Sequence, residues 1–151
     1  MGWMLLPLRR YADFNGRSRR REYWMFALLN AIVAVVWFGL AGAAGVPFAT
    51  MADPTADPGA FSSGLLMVIG LLGAVWVLAI IIPSIAVSVR RLHDRDMSGW
   101  WYLGLVLAGM IPMVGFLASL ALLVLMALPG TPGPNRFGPD PKDPSTAAVF
   151  D

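Results

Sequence analysis

The chain has 151 residues, of which 58% are hydrophobic and 13% charged, about half the charged share of a soluble domain. That balance excludes an ordinary soluble globular protein, and the small net charge of +2 gives no footing for nucleic-acid binding, because the basic residues crowd against apolar runs. With no cysteine and one histidine, the sequence also excludes disulfides, thiolate chemistry, thiolate-held zinc or iron–sulfur clusters, and a polyhistidine metal site within one chain.

The charged residues fall in four islands, Arg9 to Glu22, Asp53 to Asp57, Arg90 to Asp96, and Arg136 onward. Between them lie three stretches, each about thirty residues or more, without a charge. That is the pattern of segments meant for hydrocarbon, where a central charge costs about 2.5–3.5 kcal/mol. The class is an all-α polytopic membrane protein, with residues 1–141 forming a single integral membrane domain.

The first expected span covers residues 23–45, long enough for a membrane core about 30 Å thick. Asn30 is its strongly polar side chain, and Ala27, Ala31 and Ala34 form a small-residue stripe. The preceding Arg19-Arg20-Arg21 has the look of a twin-arginine export signal, but the apolar run that follows exceeds the usual signal length. The proline-bearing loop after the span reads as a solvated turn, with Asp53 and Asp57 too few for a hard cation. The second span covers residues 65–89. Gly70, Gly73 and Ala74 form a close-packing patch there, and Ser84 or Ser88 can satisfy carbonyls freed by Pro83.

The third apolar stretch, Trp100 to Leu128, is too long for one comfortable span and too short for two. Pro112 and Gly115 near its middle favour a helical hairpin, 100–111 and 113–128, over a single kinked span. The rest of the chain holds half of the twelve prolines, so regular structure is not expected there, and residues 142–151 should be disordered. Arginine and lysine counts, six before the first span, none in the first loop and three in the second, put the N-terminus in the cytoplasm.

In the first island Ser18 is a candidate N-cap, and the spacing of Arg17, Arg20 and Arg21 fits one helix face able to hold an anion or partner. The Arg90 to Asp96 island alternates in sign, which argues for mutual pairing in a tight turn, with Asp96 or Ser98 capping the next helix. His93 beside Asp94 has the composition of a general base and its orienting carboxylate. However, sequence neighbours seldom pair that way, and no nucleophile is marked out. In the tail Gly130, Gly133 and Gly138 permit a fold back towards the membrane face, but no Gly-Lys-Ser/Thr follows to make a phosphate loop.

These islands carry a resemblance. Phe14-Asn15-Gly16-Arg17 with Arg20, Glu22, Tyr23 and Trp24, then Arg90-Arg91-Leu92-His93-Asp94 with Ser98-Gly99-Trp100, then Gly130-Thr131, Gly133, Asn135-Arg136-Phe137-Gly138 and Asp140-Pro141 resemble three blocks of one family. It is the family of small bacterial inner-membrane proteins catalogued as domain of unknown function 805. The resemblance implies a multi-pass inner-membrane protein and brings no established activity.

If the hairpin forms, all three blocks meet at the cytoplasmic side. The candidate anion or partner site is then Arg17, Arg20, Glu22, Arg90, Arg91, His93, Asp94, Asn135, Arg136 and Asp140. The expected function is a non-enzymatic module without catalytic group, metal or cofactor. Its expected partners are anionic lipid headgroups, and also a protein partner or a second copy of the chain. The alternative is an oligomeric transporter or channel subunit.

Overall fold

The computed structural model describes residues 2–44, 55 and 64–143. Five helices follow in order: α1, Gly2–Arg9; α2, Arg20–Ala43; α3, Gly64–His93; α4, Trp100–Gly109; α5, Val114–Ala127. Among the described residues the sole extended pairing is an isolated bridge between Asn135 and Gly138. The expected turn around Asp53 and Asp57, and the tail after Asp143, lie outside the described residues.

α2, with mean hydropathy 2.1, and the Met67–His93 part of α3, at 2.6, are long and apolar enough to cross a membrane. Their outer surface agrees with that reading, since Val35 is 72% and Leu78 67% exposed. Meanwhile Arg17, Glu22, Arg90, Arg91 and Asp94 are buried, the reverse of a soluble protein. α3 does not stop at Val89. Its last turn carries Arg90, Arg91 and His93, where cations complement the negative end of the helix dipole.

The chain separates into two compact units, Leu28–Ile81 by itself and Met1–Ala27 with Ile82–Asp151. Within Leu28–Ile81, Trp37 donates its indole N–H to the Ile69 carbonyl at 2.9 Å. A Cβ at Gly73 would stand 2.5 Å from that indole, so the glycine of the expected patch serves an aromatic side chain. Gly70 has nothing within 4 Å of the same position.

In the other unit Ser88 donates to the Ser84 carbonyl at 2.7 Å. This hydroxyl therefore back-bonds its own turn and does not serve the carbonyl of residue 79 that Pro83 leaves without an amide partner.

The third apolar stretch forms the hairpin. α4 has 10 residues and α5 has 14, which makes them about 15 and 21 Å long, each short of a full crossing. The reversal uses Met113 at φ 66 and closes with the Gly115 amide donating to the Ile111 carbonyl at 2.8 Å. Pro112 marks the break, but Gly115 sets its tightness: a Cβ there would lie 2.4 Å from the Gly109 carbonyl oxygen.

Candidate functional site

The site grows from the turn that follows α3. Asp94, buried, is held from two directions. Arg17 donates Nε to its Oδ1 at 3.0 Å, and Arg91, one turn earlier on α3, donates to Oδ2. The two guanidinium groups then reach onward to the chain beyond α5. Arg17 donates to the Gly133 and Thr131 carbonyls, both at 2.6 Å. Arg91 donates Nε to the Met126 carbonyl at 3.1 Å and another N–H to the Leu128 carbonyl.

A helix leaves its last carbonyls without amide partners, and its dipole makes that end attractive to cations. Here guanidinium groups cover the end of α5. Besides Arg91, Arg20 donates to the Ala127 carbonyl at 3.3 Å, and Arg95 to the Pro129 carbonyl at 3.2 Å. The hairpin is thereby tied back to the turn after α3.

A second buried cluster lies beside the first. Arg90 donates to Glu22 Oε1 at 2.8 Å, with both side chains fully buried. Arg90 also donates to the Asp13 carbonyl at 2.7 Å, and Ser18 donates its hydroxyl to Glu22 Oε2 at 2.8 Å. The Ser18 amide reaches the Arg90 carbonyl at 3.1 Å. Ser18 is therefore not the N-cap expected from sequence, since its oxygen is turned to the one carboxylate of the first turn. Arg17 lies before α2 and is buried, so it does not share a helix face with the exposed Arg20 and Arg21.

His93 is not oriented by Asp94. Its Nδ1 lies 3.2 Å from the Gly16 carbonyl, and its ring stacks on Phe137 at 3.9 Å and 4°. Asn135 donates to the His93 carbonyl at 2.9 Å while its Oδ1 accepts the Phe137 amide at 2.9 Å, which shapes the turn that delivers the phenyl ring. Arg136 pairs with Asp96 at 3.1 Å in an exposed bridge and lies 4.9 Å from the Phe137 ring. Asp96, expected to cap α4, instead takes φ 59 and accepts Arg136; α4 starts after Gly99 without a side-chain cap, and Ser98 accepts the Trp100 amide at a long 3.4 Å.

Asp140 accepts the Lys142 amide at 2.9 Å and the Gly133 amide at 3.1 Å. These bonds, the first above all, hold its carboxyl below the usual carboxylate range despite some burial. Asp13 is also lowered. Burial acts to raise it, but the Arg10 hydrogen bond, the Asn15 amide and the charges of Arg10 and Arg90 together outweigh that.

All ten candidate residues thus lie in the Met1–Ala27 and Ile82–Asp151 unit, linked by these bonds. Site residues outside the ten candidates are Gly16 and Gly133, which give backbone oxygens, Gly130, which leaves room for Asp94, and Ser18, Thr131 and Phe137, which add side chains. A Cβ at Gly130 would lie 1.9 Å from Asp94 Oδ2. Arg95 was legible as a cation, but its acceptor, a carbonyl, has no signature in sequence. Among the described residues no three His, Asp or Glu side chains converge to hold a metal ion.

Residues 11–139 match the model of a family described as "Protein of unknown function (DUF805)". The chain belongs to the DUF805 family. It is similar to the inner membrane protein YhaI of Escherichia coli K12, 37% identical over 94% of this chain and 97% of the relative. It is likewise similar to the inner membrane protein YhaH of the same strain, 38% identical over 94% and 98%. Similarity to the protein YiiR of that strain is lower, 29% over 87% of each chain. No solved structure matches. The DUF805 resemblance carried by the three sequence blocks therefore holds, and those blocks contain most of the side chains and carbonyls of the buried network.

Proposed function

We propose that this DUF805 chain is a non-enzymatic, multi-pass inner-membrane module, N-terminus in the cytoplasm, that binds anionic lipid headgroups at its basic end. The observation that carries this reading is a division of labour among the arginines. Arg17, Arg90 and Arg91 are buried against carboxylates and carbonyls of the protein itself. Arg9, Arg20 and Arg21 are exposed, and Trp24, 40% exposed, follows one turn after Arg20 and Arg21. Guanidinium groups beside interfacial tryptophan suit lipid phosphate.

Headgroup contact therefore falls to Arg21 and to the N–H groups that Arg20 has left beside its bond to the Ala127 carbonyl, while Arg17, Arg90 and Arg91 preserve the shape on which they stand. The non-enzymatic reading is supported by the state of the acids. Glu22 and Asp94 are both engaged in buried ion pairs, so neither is free to act as a general base towards a substrate.

The test is native mass spectrometry of the detergent-extracted protein, counting retained phosphatidylglycerol and cardiolipin. The paired change Arg20→Glu and Arg21→Glu should lower retention of both lipids and leave phosphatidylethanolamine unaffected. Equal retention in a variant with an unchanged melting curve would sink the proposal.

A further inference from the structure

A groove of about 590 Å³ runs between the last turns of α3 and the start of α4, floored by Ile85 and Val89 and walled by Phe14 and Val106. No charged side chain lines it, which separates it chemically from the arginine network. His93 and Ser98 are polar groups of its lining, together with the Trp100 indole and the Tyr102 hydroxyl.

The hydrogen-bonding states of His93 and Ser98 are fixed by their neighbours. A carbonyl oxygen can only accept, so the 3.2 Å contact with Gly16 puts a proton on Nδ1 of His93. In the neutral ring Nε2 is then an acceptor, and among the described residues no hydrogen-bond partner reaches it. It faces Gly99, where a Cβ would stand 3.5 Å from Nε2 and 2.7 Å from Val89. Glycine at this position lets α4 approach α3 while leaving the nitrogen uncovered. Ser98 accepts from the Trp100 amide at 3.4 Å, and its own hydroxyl proton remains to be donated.

The groove thus sets an acceptor, His93 Nε2, near a donor, the Ser98 hydroxyl, on a surface without charge. A hydroxyl group is both donor and acceptor and carries no charge. Phosphate and carboxylate lack the proton that neutral Nε2 needs, and would enter with a charge that no wall residue balances. Tyr102 lines the groove and Trp100, 77% exposed, stands at its rim; such side chains sit at the interfacial depth where lipid hydroxyls lie. We propose that this groove binds a long-chain alcohol, its hydroxyl donating to His93 Nε2 and accepting from Ser98, its hydrocarbon along Ile85, Val89 and Val106. This site is independent of the headgroup surface at Arg20 and Arg21.

The lone histidine makes the test direct. The full chain, labelled with 15N-histidine in phosphatidylcholine nanodiscs, gives signals from one imidazole. Added hexadecanol should shift Nε2 and leave Nδ1 in place, while hexadecane should shift neither. Leu103→Trp, which fills the groove from the α4 side, should abolish the Nε2 response. The Nδ1 signal, held by Gly16, reports in the same spectrum that the variant is folded.

Three results would overturn the proposal. One is an Nε2 signal indifferent to hexadecanol or equally responsive to hexadecane. Another is a doubly protonated ring produced by hexadecyl phosphate, which would make the groove an anion site. The third is a response that follows protein concentration instead of alcohol, which would assign the groove to a second copy of the chain.

Discussion

Arg91 reaches from the last turn of α3 to the end of α5, its Nε donating to the Met126 carbonyl at 3.1 Å while its terminal nitrogen holds Asp94. This side chain joins the hairpin to the turn that orders the tail. Arg91→Lys keeps the charge but loses the planar fork, and one ammonium cannot hold carboxylate and helix end together. Losing charge-assisted bonds of this kind should cost about 1.5–3 kcal/mol. Amide exchange should accelerate selectively across residues 124–133, and unchanged protection there would refute the role given to Arg91.

Gly130 and Gly133 should respond differently to alanine. At Gly130 the new Cβ would collide with Asp94 Oδ2 at 1.9 Å and with the Asp94 carbonyl oxygen at 2.8 Å, so the tail must leave its seat. At Gly133 nothing lies within 4 Å and only φ +72 opposes the change, a penalty of about 1–2 kcal/mol. Melting followed by tryptophan fluorescence should rank Gly130→Ala well below Gly133→Ala. The opposite order would contradict the seating of the tail on Asp94.

Removing one side of the buried Glu22–Arg90 pair should be more harmful than removing both. Glu22→Gln leaves the Arg90 guanidinium buried without its carboxylate, and a broken buried pair costs about 3–5 kcal/mol. The double change Glu22→Gln with Arg90→Gln removes the uncompensated charge and should recover part of that loss. A strictly additive double mutant, measured by denaturation in detergent, would argue against direct coupling.

Acid should loosen the N-terminal turn. Asp13 and Asp140 have folded pKa values below the ordinary one, so their ionised forms favour the fold. That contribution is complete above the unfolded value and is lost as pH falls through the folded one, hence below about pH 3.9. Asp13 is half-exposed and screened by solvent, so the effect is small. Asp13→Asn should flatten the pH dependence of stability below that point and leave it unaltered at neutral pH.

Cysteine scanning starts from a chain with no native cysteine. Arg9→Cys and Lys142→Cys should both react with impermeant thiol reagents from the cytoplasmic side. Met113→Cys, at the 92% exposed tip of the short hairpin, should resist reagent from either aqueous phase. Labelling of residues 9 and 142 from opposite sides would rule out the shared face.

The hairpin could be read from sequence because its signal is local: an apolar run of awkward length with a proline near the middle. The meeting of three polar blocks followed from that one reversal. Individual roles were harder. Ser18 precedes a helix and satisfies every local rule for an N-cap, yet a buried carboxylate one turn away competes for its hydroxyl. Arg17 sits at the spacing of a common helical face, but α2 starts after it. His93 and Asp94 are neighbours in sequence with unrelated partners, Gly16 on one side and two arginines on the other. Most of the acceptors that organise the site are main-chain oxygens, which every residue has and no motif records.

The arginine bonds to the tail also impose an order on the making of the molecule. Arg17 and its acceptors at Thr131 and Gly133 are separated by 114 and 116 residues. Translation therefore delivers the Arg17 guanidinium 114 residues or more before the oxygens it binds there. Arg91 can close on Asp94 and on the end of α5 once Leu128 is made, whereas Arg17 waits for the Thr131 and Gly133 carbonyls. The segment after the hairpin is thus the piece that completes the Arg17 contacts, and it is made after every other element of the network.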